Sequence, residues 1–188
     1  MVKSNLRKLT ECAIMVAAAT VLSFIKVYKL PLGGAITLVS MLPILLAGYR
    51  NGIKYGLVAS FTYAIIQLLI EIGEIASWGL TPIIFIGSIF FDYIFAFGCL
   101  GISGFFSNKK NGLIISTTIA LPVRFLMHFI SGYLLFGTWA EEGYSAFTWS
   151  IVYNGSFMLP EFIITLIVAI IISQFPVISG YNSTKASN

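Results

Sequence analysis

A single bundle of six transmembrane helices, all-α and with both termini in the cytoplasm, is the fold that the sequence predicts. Three observations lead there. Of 188 residues, 58% are hydrophobic and 10% charged, with a mean hydropathy of +0.95, whereas a soluble domain carries about 25% charged residues. The apolar residues fall into six stretches joined by short polar connections. The basic residues favour alternate connections, as expected of a multi-pass membrane protein.

Seven acids, eleven bases and one histidine cannot cover a water-facing surface, which excludes a soluble enzyme, a coiled coil and a disordered chain. At about 20 residues per span, six helices use roughly 120 residues and leave no room for a second domain or an ATPase module. Residues 1–188 therefore read as one domain. The net charge of +4 comes from bases scattered over short connections, not from a patch or stripe, so it is a topological signal and no nucleic acid is expected as partner. Cys12 and Cys99 lie in apolar stretches with no second Cys or His nearby and read as core residues.

The first segment, about 9–27, follows Lys3, Arg7 and Lys8 like a signal peptide, but no small-x-small cleavage site follows, so it is expected to remain as a helix. Its 14 uncharged residues between Glu11 and Lys26 span ~21 Å, so flanking residues must extend it toward the ~30 Å hydrocarbon thickness. The second, about 35–48, is short and holds Pro43. The third, about 53–70, follows the Tyr49-Arg50-Asn51-Gly52 turn. The fourth, about 82–106, has Asp92 as its only charge. The fifth, about 113–136, contains Pro122, Arg124 and His128, and the sixth, about 149–178, contains Pro160 and Glu161. A polar tail closes the chain at 182–188.

Alternation across six spans puts Lys3, Arg7, Lys8, Arg50, Lys54, Lys109, Lys110 and Lys185 on one side and Lys26 and Lys29 on the other. The positive-inside rule makes the first side cytoplasmic. Glu71, Glu74, Glu141 and Glu142 then fall outside, on the 3–4 and 5–6 connections.

Five ionisable residues fall at or near membrane depth: Glu11, Asp92, Arg124, His128 and Glu161. Mild insertion scales charge about 2.5–3.5 kcal/mol for Asp or Arg at a helix centre, and such residues mark pathways and ligand sites. Glu11 reads as interfacial, or paired with Arg7 or Lys8. Arg124 and His128 stand four apart and share one helix face. Two readings stand for them: a structural Arg124–Asp92 pair between helices with His128 hydrogen-bonded in the bundle, or a ligand site. Asp92, His128 and Asn154 amid Tyr93, Phe136, Trp139, Tyr144, Phe147, Trp149 and Tyr153 describe a pocket for a flat cation. Aromatic faces attract positive charge by about 0.5–2 kcal/mol each, and a carboxylate supplies the counterion. Interfacial aromatic belts are the alternative for Trp78, Trp139 and Tyr144.

Enzyme chemistry fits poorly. Gly101-Ile102-Ser103-Gly104 has the small residues of an intramembrane serine protease, but Ser103 falls near the cytoplasmic end of its helix and His128 more than halfway along an antiparallel one. There is no phosphate-binding GxxxxGK[ST] loop and no HExxH. Ala13 and Ala17 place small residues on one helix face, which serves either packing within the bundle or docking of a partner helix.

Four runs in order and spacing, Phe91-Asp92-Tyr93-Ile94-Phe95-Ala96-Phe97, Gly101-Ile102-Ser103-Gly104, His128-Phe129-Ile130-Ser131-Gly132 and Trp149-Ser150-Ile151-Val152-Tyr153-Asn154-Gly155, resemble the thiamin-specific S-components (ThiT type) of energy-coupling factor vitamin transporters. Thr10 to Ala17 is similar to that family's AxxxA segment. The resemblance covers essentially the whole chain. It implies a binding subunit without catalytic residues or cofactor, in a bacterial plasma membrane, that takes thiamin from outside and delivers it through a transmembrane coupling subunit and two ATPases. It further implies that Asp92 faces the thiazolium with Tyr93 beside it, that His128 and Asn154 contact the aminopyrimidine, and that Ala13 and Ala17 lie on the docking face. Phe136 and Trp149 stand where some members have Trp and Tyr, and Arg124 matches a basic position. Gly33-Gly34 replaces a loop Trp of some members. The competing expectation is an autonomous secondary transporter or channel for a small organic cation, with Asp92, Arg124 and His128 as a proton relay.

Overall fold

A computed structural model describes residues 2–107 and 109–175. Residues 176–178 of the sixth expected segment, and the polar tail, lie outside them. The elements are α1 (Val2–Phe24), β1 (Lys26–Lys29), β2 (Ala35–Thr37), α2 (Leu42–Asn51), α3 (Ile53–Ser77), α4 (Pro82–Phe106), α5 (Gly112–Leu134) and α6 (Ala146–Ser173). The protein is mostly helical. Among the described residues, four helices, α3 to α6, are long and apolar enough to cross a membrane.

The second segment departs most from expectation. Ala35–Thr37 is a strand, paired antiparallel with Lys26–Lys29, and the helix starts only at Leu42. Pro43 sits in its first turn, where a missing N–H costs nothing, and Gly52 at φ 89° ends it. Ten residues reach only ~15 Å, half the hydrocarbon thickness. The helix instead lies inside the bundle, with every residue from Leu42 to Tyr49 buried, as an all-round apolar helix requires.

The third segment runs on to Ser77 and so carries Glu71 and Glu74 within the helix, not on the connection after it. Each has a partner on or beside the hairpin: Lys26 Nζ lies 2.9 Å from Glu71 and Lys29 Nζ 2.8 Å from Glu74. At the opposite end of α3, Glu11 pairs with Arg50 across α1 and α2, not with Arg7 or Lys8 as its own helix offered. The helix α6 begins three residues earlier than expected because Ser145 caps it, its hydroxyl accepting from Thr148 N at 3.2 Å.

The helix α1 packs through Cys12, Val16, Ala19 and Ser23, which are buried, while Ala13 and Ala17 face outward and are exposed. Helices α2, α3 and α4 meet through glycines. A Cβ at Gly104 would come within 2.3 Å of Ile53 Cα, and one at Gly56 within 2.8 Å of Gly48 Cα. The Gly101-Ile102-Ser103-Gly104 run is therefore a packing seam with Ser103 fully buried, and His128 makes its side-chain contact with Asp92 instead. In lipid, such close backbone approach supplies much of the helix association.

Replacing Gly104 by Ala should lower the thermal unfolding midpoint in detergent by the equivalent of about 1–3 kcal/mol, since backbone blocks the new methyl. Gly73→Ala meets nothing within 4 Å and should be neutral or stabilising. Equal behaviour of the two variants would mean that the seam does not depend on contact.

Candidate functional site

A cavity opens at the end of the bundle where the hairpin, the C-terminal end of α3 and the N-terminal end of α6 meet. The space between its walls, open mouth included, is roughly 1050 Å³. Three helices feed it in regular stripes. From α3 come Tyr63, Gln67, Glu71 and Ile75, with Trp78 at its C-cap. Arg124, His128, Ser131 and Gly132 come from α5, and α6 gives Trp149, Tyr153, Phe157 and Glu161 at four-residue spacing with Ser150 and Asn154 alongside. Residues three or four apart share a helix face, so each stripe points one way.

The fourth helix, α4, presents Asp92 by a different device. Residues Ile89–Phe95 form a π-helical stretch between the α-helical Pro82–Ser88 and Ala96–Gly98, with a 3₁₀ stretch, Cys99–Phe106, after them. Insertions of this kind re-aim side chains and recur at functional sites. Asp92 meets α5 there: His128 Nδ1 lies 2.8 Å from Oδ1, and Ser131 donates to Oδ2 at 2.5 Å. Arg124 takes no part in this cluster. Its Nη1 donates to Met41 Sδ and its guanidinium lies 4.3 Å from the Phe97 ring centroid. The expected structural Arg124–Asp92 pair is thus replaced by a His128–Asp92 contact, because His128 and Ser131 stand about one and two turns beyond Arg124 on α5 and reach the π turn directly.

Asn154 joins α6 to α5. Its Nδ2 donates to the carbonyls of His128 (3.2 Å) and Ser150 (2.9 Å), and Gly132 makes room: a Cβ there would lie 2.9 Å from Nδ2. Tyr93 is buried and donates to Glu71 Oε2 at 2.8 Å, so Glu71 is shared between Tyr93 and Lys26. Three acids line the cavity, Asp92, Glu71 and Glu161, where the pocket read from the sequence had Asp92 alone. The signal for Glu71 was the polar four-residue repeat Gln67, Glu71 on an otherwise apolar helix.

The segment Leu30–Thr37 closes over the opening on the α6 stripe. Tyr153 Oη accepts from Gly34 N at 3.1 Å and donates to the Pro31 carbonyl. A Cβ at Gly34 would lie 2.8 Å from the Phe157 ring. Glu161, buried at 2% exposure, accepts from Thr37 N and Thr37 Oγ1, both at 2.6 Å. The membrane-depth acid of α6 is thus spent on the hairpin, which single-helix reasoning could not show. Gly33 lies under Trp78, whose Cη2 would be 3.1 Å from an added Cβ. Trp78, read from sequence as a belt residue, instead lines the cavity with its ring against the Gly33 backbone.

Of the expected site residues, Asp92, Tyr93, His128, Asn154, Trp149, Phe136 and Arg124 line the cavity. Trp139 does not. It is 40% exposed and touches Phe136 edge-on at 6.3 Å between centroids. Residues that single-sequence reasoning did not assign to the site include Tyr63, Gln67, Glu71, Trp78 and Ser131.

Residues 9–178 match the family described as thiamine transporter protein (Thia_YuaJ). The chain is 35% identical to the thiamine transporter ThiT of Bacillus subtilis (strain 168) over 179 residues, which cover 87% of this chain and 88% of that protein. It is also similar to the solved structure of ThiT from Listeria monocytogenes, at 26% identity and a TM-score of 0.75, over 94% of this chain and 98% of the other. The family match runs from α1 through every helix that lines the cavity, and on that extent the chain belongs to the thiamine transporter protein family.

Proposed function

We propose that this chain is the thiamin-binding S-component of an ATP-driven importer of the energy-coupling factor type, set in a bacterial plasma membrane with both termini cytoplasmic. It takes thiamin from outside and passes it on through a transmembrane coupling subunit and two ATPases. The observation that carries this reading is the Asp92 carboxylate, oriented by His128 and Ser131 at mid-depth in an aromatic-rimmed cavity. A fixed carboxylate with one side open to a cavity suits an organic cation that cannot be deprotonated, and thiamin carries such a cation in its thiazolium.

In this reading Asp92 faces the thiazolium and Tyr93, fixed by Glu71, lies beside it. His128 and Asn154 meet the aminopyrimidine, Trp149 and Phe136 offer flat faces, and Trp139 acts only through Phe136. The chain supplies no nucleotide site, since the sequence lacks a phosphate-binding loop. The exposed Ala13 and Ala17 on α1 offer a smooth face to the coupling subunit. The alternative, an autonomous transporter with an Asp92, Arg124 and His128 relay, loses a member, because Arg124 contacts Met41 and Phe97 instead.

Purified protein in detergent, without nucleotide, should bind thiamin with quenching of Trp fluorescence. Asp92→Asn should weaken binding by about 1–3 kcal/mol, and a neutral thiamin analogue should lose less. Equal losses for both ligands would make Asp92 structural, and uptake by this chain alone in proteoliposomes would favour the autonomous transporter.

Ala13→Trp and Ala17→Trp should leave thiamin binding near wild type and abolish ATP-dependent uptake on coexpression with the other subunits. Uptake that persists with Trp at both positions moves the docking face elsewhere. For orientation, Lys109→Cys should label from the cytoplasm and Glu142→Cys from outside; the opposite pattern overturns the outward-facing cavity.

A further inference from the structure

The cavity walls carry three acids, Asp92, Glu71 and Glu161, and two bases besides His128, namely Lys26 and Arg124. With His128 neutral at pH 7, one negative charge is left over, equal and opposite to that of a single monocation. The pairing of the others shows where it sits. Arg124 and Glu161 lie in each other's field, and Glu71 is held by Lys26. Asp92 is met by His128 and Ser131, neither of which brings a charge, so the uncompensated carboxylate is Asp92.

Lys26 reaches Glu71 through a local irregularity of the hairpin. Side chains alternate along a strand, so residues three apart, such as Lys26 and Lys29, ordinarily face opposite sides. The register of β1 shifts between Lys26 and Tyr28, and an extra residue of this kind turns both lysines toward α3. There Glu71 and Glu74, three apart on one helix face, receive them at 2.9 and 2.8 Å. The two ion pairs differ in their surroundings. Lys26 and Glu71 line the cavity with side chains 27% and 20% exposed, whereas Lys29 and Glu74, at 45% and 37%, do not line it. Charges partly withdrawn from water are screened less, so the inner pair acts on a ligand while the outer pair holds the hairpin.

Glu71 is engaged at both oxygens: Oε1 takes Lys26, and Oε2 accepts from Tyr93 at 2.8 Å. Tyr93 follows Asp92 on α4, and both Glu71 and Asp92 act electrostatically on His128. Without Lys26, Glu71 would put a second carboxylate, still oriented by Tyr93, into the field that a ligand meets.

We propose that Lys26 is a specificity-determining residue: its ammonium cancels the charge of Glu71, so that the cavity selects ligands with one positive charge over those with two. This differs from a strap, since Lys29 also holds the hairpin but leaves the charge of the cavity as it is. The inference rests on the thiamin reading, in which the single charge is the thiazolium.

The full chain in detergent at pH 7 is titrated with thiamin and with a dicationic analogue that carries an ammonium in place of the thiamin hydroxyl. The quantity read is the ratio of the analogue Kd to the thiamin Kd. Lys26→Gln should lower this ratio about tenfold, and the double variant Lys26→Gln, Glu71→Gln should bring it back to the wild-type value. Lys29→Gln, which breaks the outer ion pair only, should leave it unmoved. Glu71→Gln alone leaves Lys26 uncompensated and should raise the ratio, which gives a second reading of opposite sign should Lys26→Gln fail to fold. A ratio unmoved by Lys26→Gln or by Glu71→Gln, moved as far by Lys29→Gln, or not restored in the double variant overturns the role of Lys26 and leaves the thiamin reading standing. Wild-type protein that binds no thiamin overturns that reading and this inference with it.

Discussion

A carboxylate placed among apolar helices must be met by donors from the same bundle, since the surrounding lipid has none. Asp92 meets this demand with His128 and Ser131, and much of the cavity follows from that cluster. The contact ties α4 to α5 at mid-depth. The π turn of Ile89–Phe95 lets α4 aim Asp92 at α5 while Tyr93 stays buried and reaches Glu71 on α3. Glu71 in turn holds Lys26 at the edge of the hairpin. One chain of polar contacts therefore runs from α5 through α4 and α3 to the segment over the opening. Buried polar networks of this kind specify one arrangement because a half-made network is costly.

A second line of contacts comes down α6. Tyr153 and Phe157 hold the Pro31–Gly34 turn, and Glu161 holds Thr37 one turn deeper. Thr37 then reaches Ser40, and Met41 lies against Arg124. The buried charges of α5 and α6 thus bracket the short stretch between β2 and α2. That stretch has one residue with positive φ, Val39 at 57°, a conformation unfavourable for a β-branched side chain. The surrounding contacts are what hold it there.

Glycine sets the spacing behind the cavity. Gly48, Gly56, Gly101 and Gly104 bring α2, α3 and α4 into backbone contact, and Gly132 lets α5 approach the Ser150 and Asn154 side chains of α6. Without a hydrophobic drive between helices in lipid, this close packing and the buried hydrogen bonds carry the association. It also fits α2, too short to span, wholly within the bundle.

The sequence by itself determined the class, the helices α3 to α6 to within a few residues at most ends, and the polar residues that face inward, because these depend on local composition and helical period alone. Asp92, His128 and Asn154 stood out since each is costly in an apolar segment. Tertiary structure decided their partners. No local rule says that Asp92 takes His128 and leaves Arg124, that Glu11 pairs with Arg50, or that Glu161 accepts from Thr37 some 124 positions away. The strand at Ala35–Thr37 was likewise illegible, since a short apolar run forms strand or helix according to what lies beside it. The hairpin exists because Lys26, Lys29 and Thr37 find acids on α3 and α6, and those acids are in reach only once the bundle has closed.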